Sequence, residues 1–67
     1  MTAIKTLQAE LKEARELVKL YTKLGETYMA TGNRDLAYAK RREAIAQLGR
    51  ARSIEIALKQ KGQEVGN

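Results

Sequence analysis

Two long amphipathic segments, separated by Thr31-Gly32-Asn33, constrain this chain more than any other feature of its sequence. The chain contains no proline, and good helix formers such as Ala, Leu, Lys, Arg and Glu dominate both segments. Gly32 is expected at the left-handed position that ends a helix, and Asn33 can begin the next one. The sequence therefore predicts a helix over about residues 3–31, a turn at 32–33, a second helix over about 34–61 that Gly62 ends, and a frayed tail at about 62–67.

The apolar positions of the two segments predict how the helices pair. In the first segment they recur at steps of three and four, as in a coiled coil: Ile4, Leu7, Leu11, Ala14, Val18, Tyr21, Gly25 and Tyr28. The main apolar face of the second segment consists of Leu36, Ala37, Ala44, Leu48, Ala51, Ile54 and Leu58. If the chain folds back at Gly32, Tyr21 faces Ala44 and Leu11 faces Ile54, so that side-chain sizes match along the pair. The expected fold class is all-α, a single antiparallel two-helix hairpin over residues 1–67.

A hairpin of two helices cannot enclose its own apolar surface, because each helix keeps one flank in water. The second segment carries an additional apolar ridge of Tyr38, Ile45 and Ile56, about 100° or more from the main face. A domain of 67 residues has a marginal core, and the chain has no cysteine for a disulfide and no histidine for a metal. A second copy is expected to cover the ridge and form a homodimeric four-helix bundle; the alternative is a groove for a partner's helix.

The charge balance favours an anionic partner. Thirteen Lys and Arg against eight Asp and Glu give a net charge of +5. On the second segment Arg41, Arg52 and Lys59 line up along one edge of the main apolar face, and Arg42 lies on the outer surface. A basic row of this kind could follow the phosphates of RNA or DNA, and a dimer would double it, as in plasmid-encoded hairpin dimers that bind paired RNA. The candidate nucleic-acid residues are Lys40, Arg41, Arg42, Arg50, Arg52 and Lys59. Three tyrosines are few for base stacking, and the other interpretation of the row is a solvated cationic face.

Residues 21–44 resemble one tetratricopeptide repeat. The matching positions of this family are an aromatic, Leu-Gly and Tyr on a first helix, Gly at the turn, and two Ala on a second helix. In this chain they are Tyr21, Leu24-Gly25, Tyr28, Gly32, Ala37 and Ala44. Arg41 stands where the family usually has an aromatic residue, and Gly49 stands where it usually has proline. The resemblance covers about a third of the chain and implies a helical hairpin with a protein-binding role.

Several classes of function are not expected. Without His or Cys the common base and nucleophile pairs are missing, so we expect no enzyme, no cofactor and no small-molecule substrate. No apolar run approaches the ~20 residues that cross a membrane, and Trp and Phe, which anchor helices at membrane surfaces, are absent. We therefore expect a cytoplasmic protein that does not act at a membrane.

The expected function is that of a small protein-binding adaptor, inhibitor, assembly protein or regulator that acts through a helical surface. Its size is typical of phage or plasmid accessory proteins. The apolar ridge and its neighbouring arginines form the candidate site, in which the apolar residues give affinity and the arginines give orientation. The candidate partner-binding residues are Tyr38, Arg41, Arg42, Ile45, Arg52 and Ile56. The alternative function is nucleic-acid binding by a homodimer through the basic row.

Overall fold

A computed structural model describes the backbone of residues 2–66 and the side-chain burial of residues 4–62. It consists of two α-helices, α1 (Thr2–Ala30) and α2 (Arg34–Gly66), which fold back on each other. The described residues contain no strand. The all-α hairpin that the sequence predicts is confirmed.

The turn between the helices is a glycine-terminated helix end. Gly32 has a φ of 86°, which favours glycine over residues with a side chain. Its N–H donates to the carbonyl of Met29 at 3.2 Å, and the N–H of Asn33 donates to the carbonyl of Tyr28 at 2.8 Å. These two bonds define a Schellman motif, which satisfies carbonyls at the end of α1. The carbonyl of Asn33 then accepts the N–H of Ala37 at 3.0 Å, so α2 starts directly after the turn.

The contact between the helices is built mainly from alanine. The buried residues of the hydrophobic core are Ala14, Ala37, Ala44, Ala51 and Ile54. Ala37, Ala44 and Ala51 repeat every seven residues along α2, and we call these three the alanine seam. On α1 the buried Gly25 lies against α2, because a Cβ built there would be 3.4 Å from the carbonyl oxygen of Ala37. Small residues on both helices therefore allow a close approach of the two backbones.

Two residues of the predicted main apolar face lie outside this contact. Leu36 is 47% exposed and Leu48 is 41% exposed, so their assignment to the buried face is wrong. At 100° per residue, Leu36 lies roughly 80° from Ala44 around the helix and Leu48 roughly 40° from it. Once alanines bring the helices together, the contact is narrow, and side chains at its margins remain partly in water.

Two ion pairs between the helices agree with the antiparallel alignment that the sequence predicts. Arg15 Nη2 lies 2.6 Å from Glu55 Oε2, and Arg50 Nη1 lies 3.7 Å from Glu13 Oε1. Each pair joins residues at similar distances from the turn, as the predicted fold-back requires. Because all four side chains are more than a third exposed, these pairs contribute little to stability.

The second helix extends past the predicted end. It continues through Gly62 to Gly66, and Gly32 is the only glycine with a positive φ among the described residues. Gly62 therefore lies within the helix instead of ending it. Gln63 and Glu64, which are good helix formers, follow it, and no proline stops the helix there. Asn67, the last residue of the predicted tail, lies outside the described residues.

The hairpin is long and thin. Its extents are 53 × 15 × 11 Å and its radius of gyration is 15.4 Å. A compact domain of this length has a radius of gyration of about 11 Å. No large side chain is fully buried among residues 4–62. The elongated shape leaves most large apolar side chains at least partly exposed.

Candidate protein-binding surface

The most exposed apolar side chains of α2 form one strip. Tyr38 is 51% exposed, Ile45 is 68% exposed and Ile56 is 60% exposed. Their positions fall within about 20° of one another around the helix, roughly 100° from Ala44. We call these three residues the outer ridge. The sequence predicted an apolar ridge away from the main face, and the structure leaves it open to solvent.

Cations flank the outer ridge on both sides. Arg41 and Arg52 each lie one helical turn before a ridge residue, on the side that faces the groove between the helices. Lys59 follows Ile56 by three residues on that same side, and Arg42 lies on the far side. All four are exposed. Within the part of the chain that the structure describes, none of them forms an ion pair.

A shallow depression extends this surface across the groove towards α1. Its apolar lining includes Leu48 and Ala51 of α2 and Val18 of α1. Arg15 and Arg52 stand at its edges. The depression shows that the groove side of α2 and the neighbouring side of α1 form one continuous surface.

A second depression lies nearer the turn. Thr22, Gly25, Glu26 and Met29 of α1 line it together with Arg41 of α2. Met29 is 40% exposed and adds an apolar side chain to this side of the hairpin. Arg41 and Glu26 share the depression without an ion pair between them among the described residues.

Two of the six candidate nucleic-acid residues lie elsewhere. Lys40 Nζ lies 3.3 Å from Glu43 Oε2 and 5.5 Å from the centre of the Tyr21 ring. Arg50 Nη1 donates to Gln47 Oε1 at 3.2 Å and is also the partner of Glu13. By the helical period, Lys40 and Arg50 lie roughly 120° or more from the outer ridge. The six cations therefore do not form a single row, and the free ones are Arg41, Arg42, Arg52 and Lys59 within residues 4–62.

Gly49 belongs to the same surface as the outer ridge. It lies one helical turn after Ile45 and is exposed. A Cβ built on it would meet nothing within 4 Å, so packing inside the hairpin does not require a glycine there. Glycine in a helix interior costs about 1 kcal/mol relative to alanine. The hairpin itself offers no compensation for this cost.

Three residues of this surface were not among the candidate site residues predicted from the sequence: Leu48, Val18 and Arg15. Leu48 was assigned to the buried face, and Val18 to the seam of α1. A signal for Leu48 was present, because it precedes Arg52 by one helical turn and so shares its side of α2. Arg15 of α1 becomes part of the surface only because the two helices are aligned side by side. Its ion pair with Glu55 of α2 follows from that alignment.

Comparisons with known proteins do not identify this surface. The chain matches no protein-family model, no curated protein and no solved structure. The resemblance of residues 21–44 to a tetratricopeptide repeat stays a prediction. Across the described residues, no helix has an apolar stretch long enough to cross a membrane. The described residues contain no cluster of three or more acidic side chains that could hold a metal ion.

Proposed function

We propose that this chain is a small non-enzymatic protein-binding module, serving as an adaptor, inhibitor or assembly protein, and that α2 is its binding element. The observation that supports this most directly is the outer ridge, whose three large side chains are each more than half exposed. Isolated exposed apolar residues are ordinary, whereas aligned ones rimmed by polar groups mark interaction sites. Arg41, Arg42 and Arg52 supply that rim.

The site combines the elements that a helix-binding surface needs. Apolar side chains give binding energy when a partner removes them from water, and charged neighbours orient the partner and accelerate its association. Arg41, Arg42 and Arg52 have no ion pair within the described part of the chain, so they are available to a partner. We further propose that the protein acts as a homodimer in the form of a four-helix bundle, because a single hairpin of this length has a marginal core.

The alternative function is the binding of nucleic acid. Arg41, Arg42, Arg52 and Lys59 would be its phosphate contacts, whereas Lys40 and Arg50 are held by groups of the hairpin. With two of six cations engaged elsewhere, the groove side of α2 offers three cations and Arg42 lies across the ridge. This arrangement favours the protein-binding proposal over phosphate tracking.

The test is capture from a lysate of the protein's own cell or host by the tagged full chain, with and without nuclease. Ile45→Asp should reduce the captured protein at least tenfold, because it places a charge in the centre of the ridge. Leu20→Asp is the matched control, since Leu20 is a 49% exposed leucine on the outer side of α1. Capture that is insensitive to both substitutions would contradict the proposal.

Nuclease treatment and arginine variants separate the two functions. For protein binding, the captured partner persists after nuclease, and added salt weakens binding only slightly. For nucleic-acid binding, recovery collapses with nuclease, Arg42→Glu and Arg52→Glu abolish it, and affinity falls steeply with salt. Oligomeric state is measured for every variant, so that loss of a dimer is not mistaken for loss of a partner contact.

A further inference from the structure

We infer that the outer ridge of α2 packs against the outer ridge of a second copy of this chain, with the two α2 helices antiparallel and centred at the level of Gln47. This inference rests on the proposed protein-binding function of the same surface and names the partner that covers it. The inference specifies which residues of the two copies lie opposite each other, so that substitutions at single residues can test it.

The exposed area of the hairpin is the first argument. The chain of 7.5 kDa exposes 5326 Å². A compact monomer of that mass exposes about 4,200 Å², so the hairpin has an excess of about 1,100 Å². A standard protein–protein interface buries about 800 Å² on each partner. The excess surface is therefore sufficient for a stable dimer.

The spacing of residues along α2 is the second argument. Tyr38 and Ile56 lie nine residues to either side of Gln47, and Ile45 and Gly49 lie two residues to either side of it. A two-fold axis makes the same patch of both copies meet itself. In an antiparallel pair centred at Gln47, Tyr38 therefore lies opposite Ile56 of the second copy. By the same symmetry, Ile45 lies opposite Gly49.

This register explains a glycine that the hairpin leaves without a role. Gly49 is exposed, and nothing lies within 4 Å of a Cβ built on it. Opposite Ile45, the most exposed large apolar side chain among residues 4–62, Gly49 provides the space into which that side chain fits. Gly25 already lies at a close helix approach inside the hairpin, where a Cβ built on it would be 3.4 Å from the carbonyl oxygen of Ala37. Both the contact within the hairpin and the contact between copies would then involve an interior glycine of the chain.

The charges of the pair predict its salt dependence. Arg41 and Arg52 lie six and five residues from Gln47 in opposite directions, on the same edge of the ridge. The antiparallel pair therefore brings Arg41 of one copy near Arg52 of the other. Salt screens this repulsion, so the dimer should tighten as ionic strength rises. An acidic partner on the same surface would show the opposite dependence.

The first experiment measures the monomer–dimer equilibrium of the full chain by analytical ultracentrifugation over a range of concentrations. We expect a dimer whose dissociation constant falls several-fold between low and high salt. Ile45→Asp should raise that constant at least ~100-fold, and the control Leu20→Asp by less than ~3-fold. A chain that stays monomeric at millimolar concentration, or a dimer equally sensitive to both substitutions, would overturn the inference.

A pair of glycine variants guards against loss of folding. Gly49 and Gly62 are both exposed helical glycines with open space around them, so leucine at either position should raise helicity. Gly49→Leu should nevertheless weaken the dimer at least ~30-fold, because it fills the space that Ile45 needs. Gly62→Leu should leave the dimer unchanged. Equal dimerisation of the two variants would contradict the register.

Disulfide trapping reads the register directly, because the chain has no cysteine of its own. Ile45→Cys and Gly49→Cys variants are prepared separately, mixed and oxidised. The proposed register places these two positions opposite each other, so the mixed disulfide should exceed either homodisulfide about tenfold. Predominance of the homodisulfides would show that the helices pair in another register and would overturn the inference.

The results also separate this inference from the proposed function. If the chain is monomeric but Ile45→Asp still abolishes capture of a protein from lysate, the ridge binds a different partner and only the inference fails. If Ile45→Asp changes neither dimerisation nor capture, the ridge is not a binding surface and both fail.

Discussion

The two sides of α2 differ in a way opposite to that of an ordinary amphipathic helix. The side that faces α1 is lined by the alanine seam, whose members are 8% exposed or less. The outer ridge carries two isoleucines and a tyrosine, each more than half exposed. Apart from the buried Ile54, small side chains of α2 lie inside and large ones outside. Since burial of large apolar side chains is the main source of folding free energy, the hairpin leaves much of its potential stabilisation unused.

This difference suggests separate roles for the two sides. The alanine seam sets the distance between α1 and α2, because larger residues would push the helices apart. The outer ridge contributes little to the hairpin, since its side chains remain in water. Substitutions in the seam should therefore affect folding, and substitutions in the ridge should affect association.

The largest effect is expected from enlarging a seam residue. Ala37 is 0% exposed, and its carbonyl lies at the closest approach to Gly25. Ala37→Leu should lower the free energy of unfolding by about 2–3 kcal/mol, because the added side chain must displace α1. For a chain of this length, that corresponds to a melting temperature roughly 10–20 °C lower, measured by circular dichroism.

Ala39 provides the matched control for this prediction. It lies two residues further along α2 and is exposed, so Ala39→Leu should change the free energy of unfolding by less than about 0.5 kcal/mol. If both substitutions destabilised the hairpin equally, the seam would not be the contact that holds the helices together.

The sequence was sufficient to predict the fold because its strongest signals are local. Gly32 lies where a helix must end, and the φ of 86° observed there is the conformation that the pattern anticipated. The apolar spacing identified Ala14, Ala37 and Ala44 as facing positions, and all three are buried. The outer ridge was also predictable, since the helical period alone places Tyr38, Ile45 and Ile56 away from the seam.

The sequence was insufficient to predict which residues at the margins of the contact between α1 and α2 are buried, because this depends on the width of that contact. Leu36 and Leu48 were assigned to the buried face, but how far that face extends depends on the distance between the helices. That distance is set by Gly25 meeting Ala37, a contact between segments that the apolar pattern of one helix does not report. The six candidate nucleic-acid residues lie on more than one side of α2. Proximity in sequence grouped Arg50 with Arg52, whereas two residues along a helix correspond to about 200°.

Two glycines, one in each helix contact, offer a second test of the difference between the inner and outer sides of the hairpin, with a smaller expected effect. In the Ile45→Asp background, which is expected to be monomeric, Gly49→Ala should raise the free energy of unfolding by about 1 kcal/mol, because the new methyl group meets nothing. Gly25→Ala should gain at least as much, since its Cβ would make ordinary van der Waals contacts with the carbonyl of Ala37 and the side chains of Lys40 and Arg41. Urea unfolding of the two variants measures both changes. A loss of stability for Gly25→Ala would show that the helices lie too close to admit a methyl group there.

The smallest expected effect distinguishes the two edges of α2. Arg50 contacts Glu13 and Gln47, whereas Arg52 has no ion pair within residues 4–62. Arg50→Ala should therefore lower the free energy of unfolding by about 0.5 kcal/mol, and the loss should shrink in high salt. Arg52→Ala should leave unfolding within about 0.2 kcal/mol of the unsubstituted chain, because removing an exposed and unpaired cation breaks no contact. Chemical denaturation at low and high salt measures the free energy of unfolding of both variants, each made in the Ile45→Asp background so that dimerisation does not contribute. A larger loss for Arg52→Ala would mean that this arginine supports the hairpin, and its assignment to a partner-binding surface would then lose its main support.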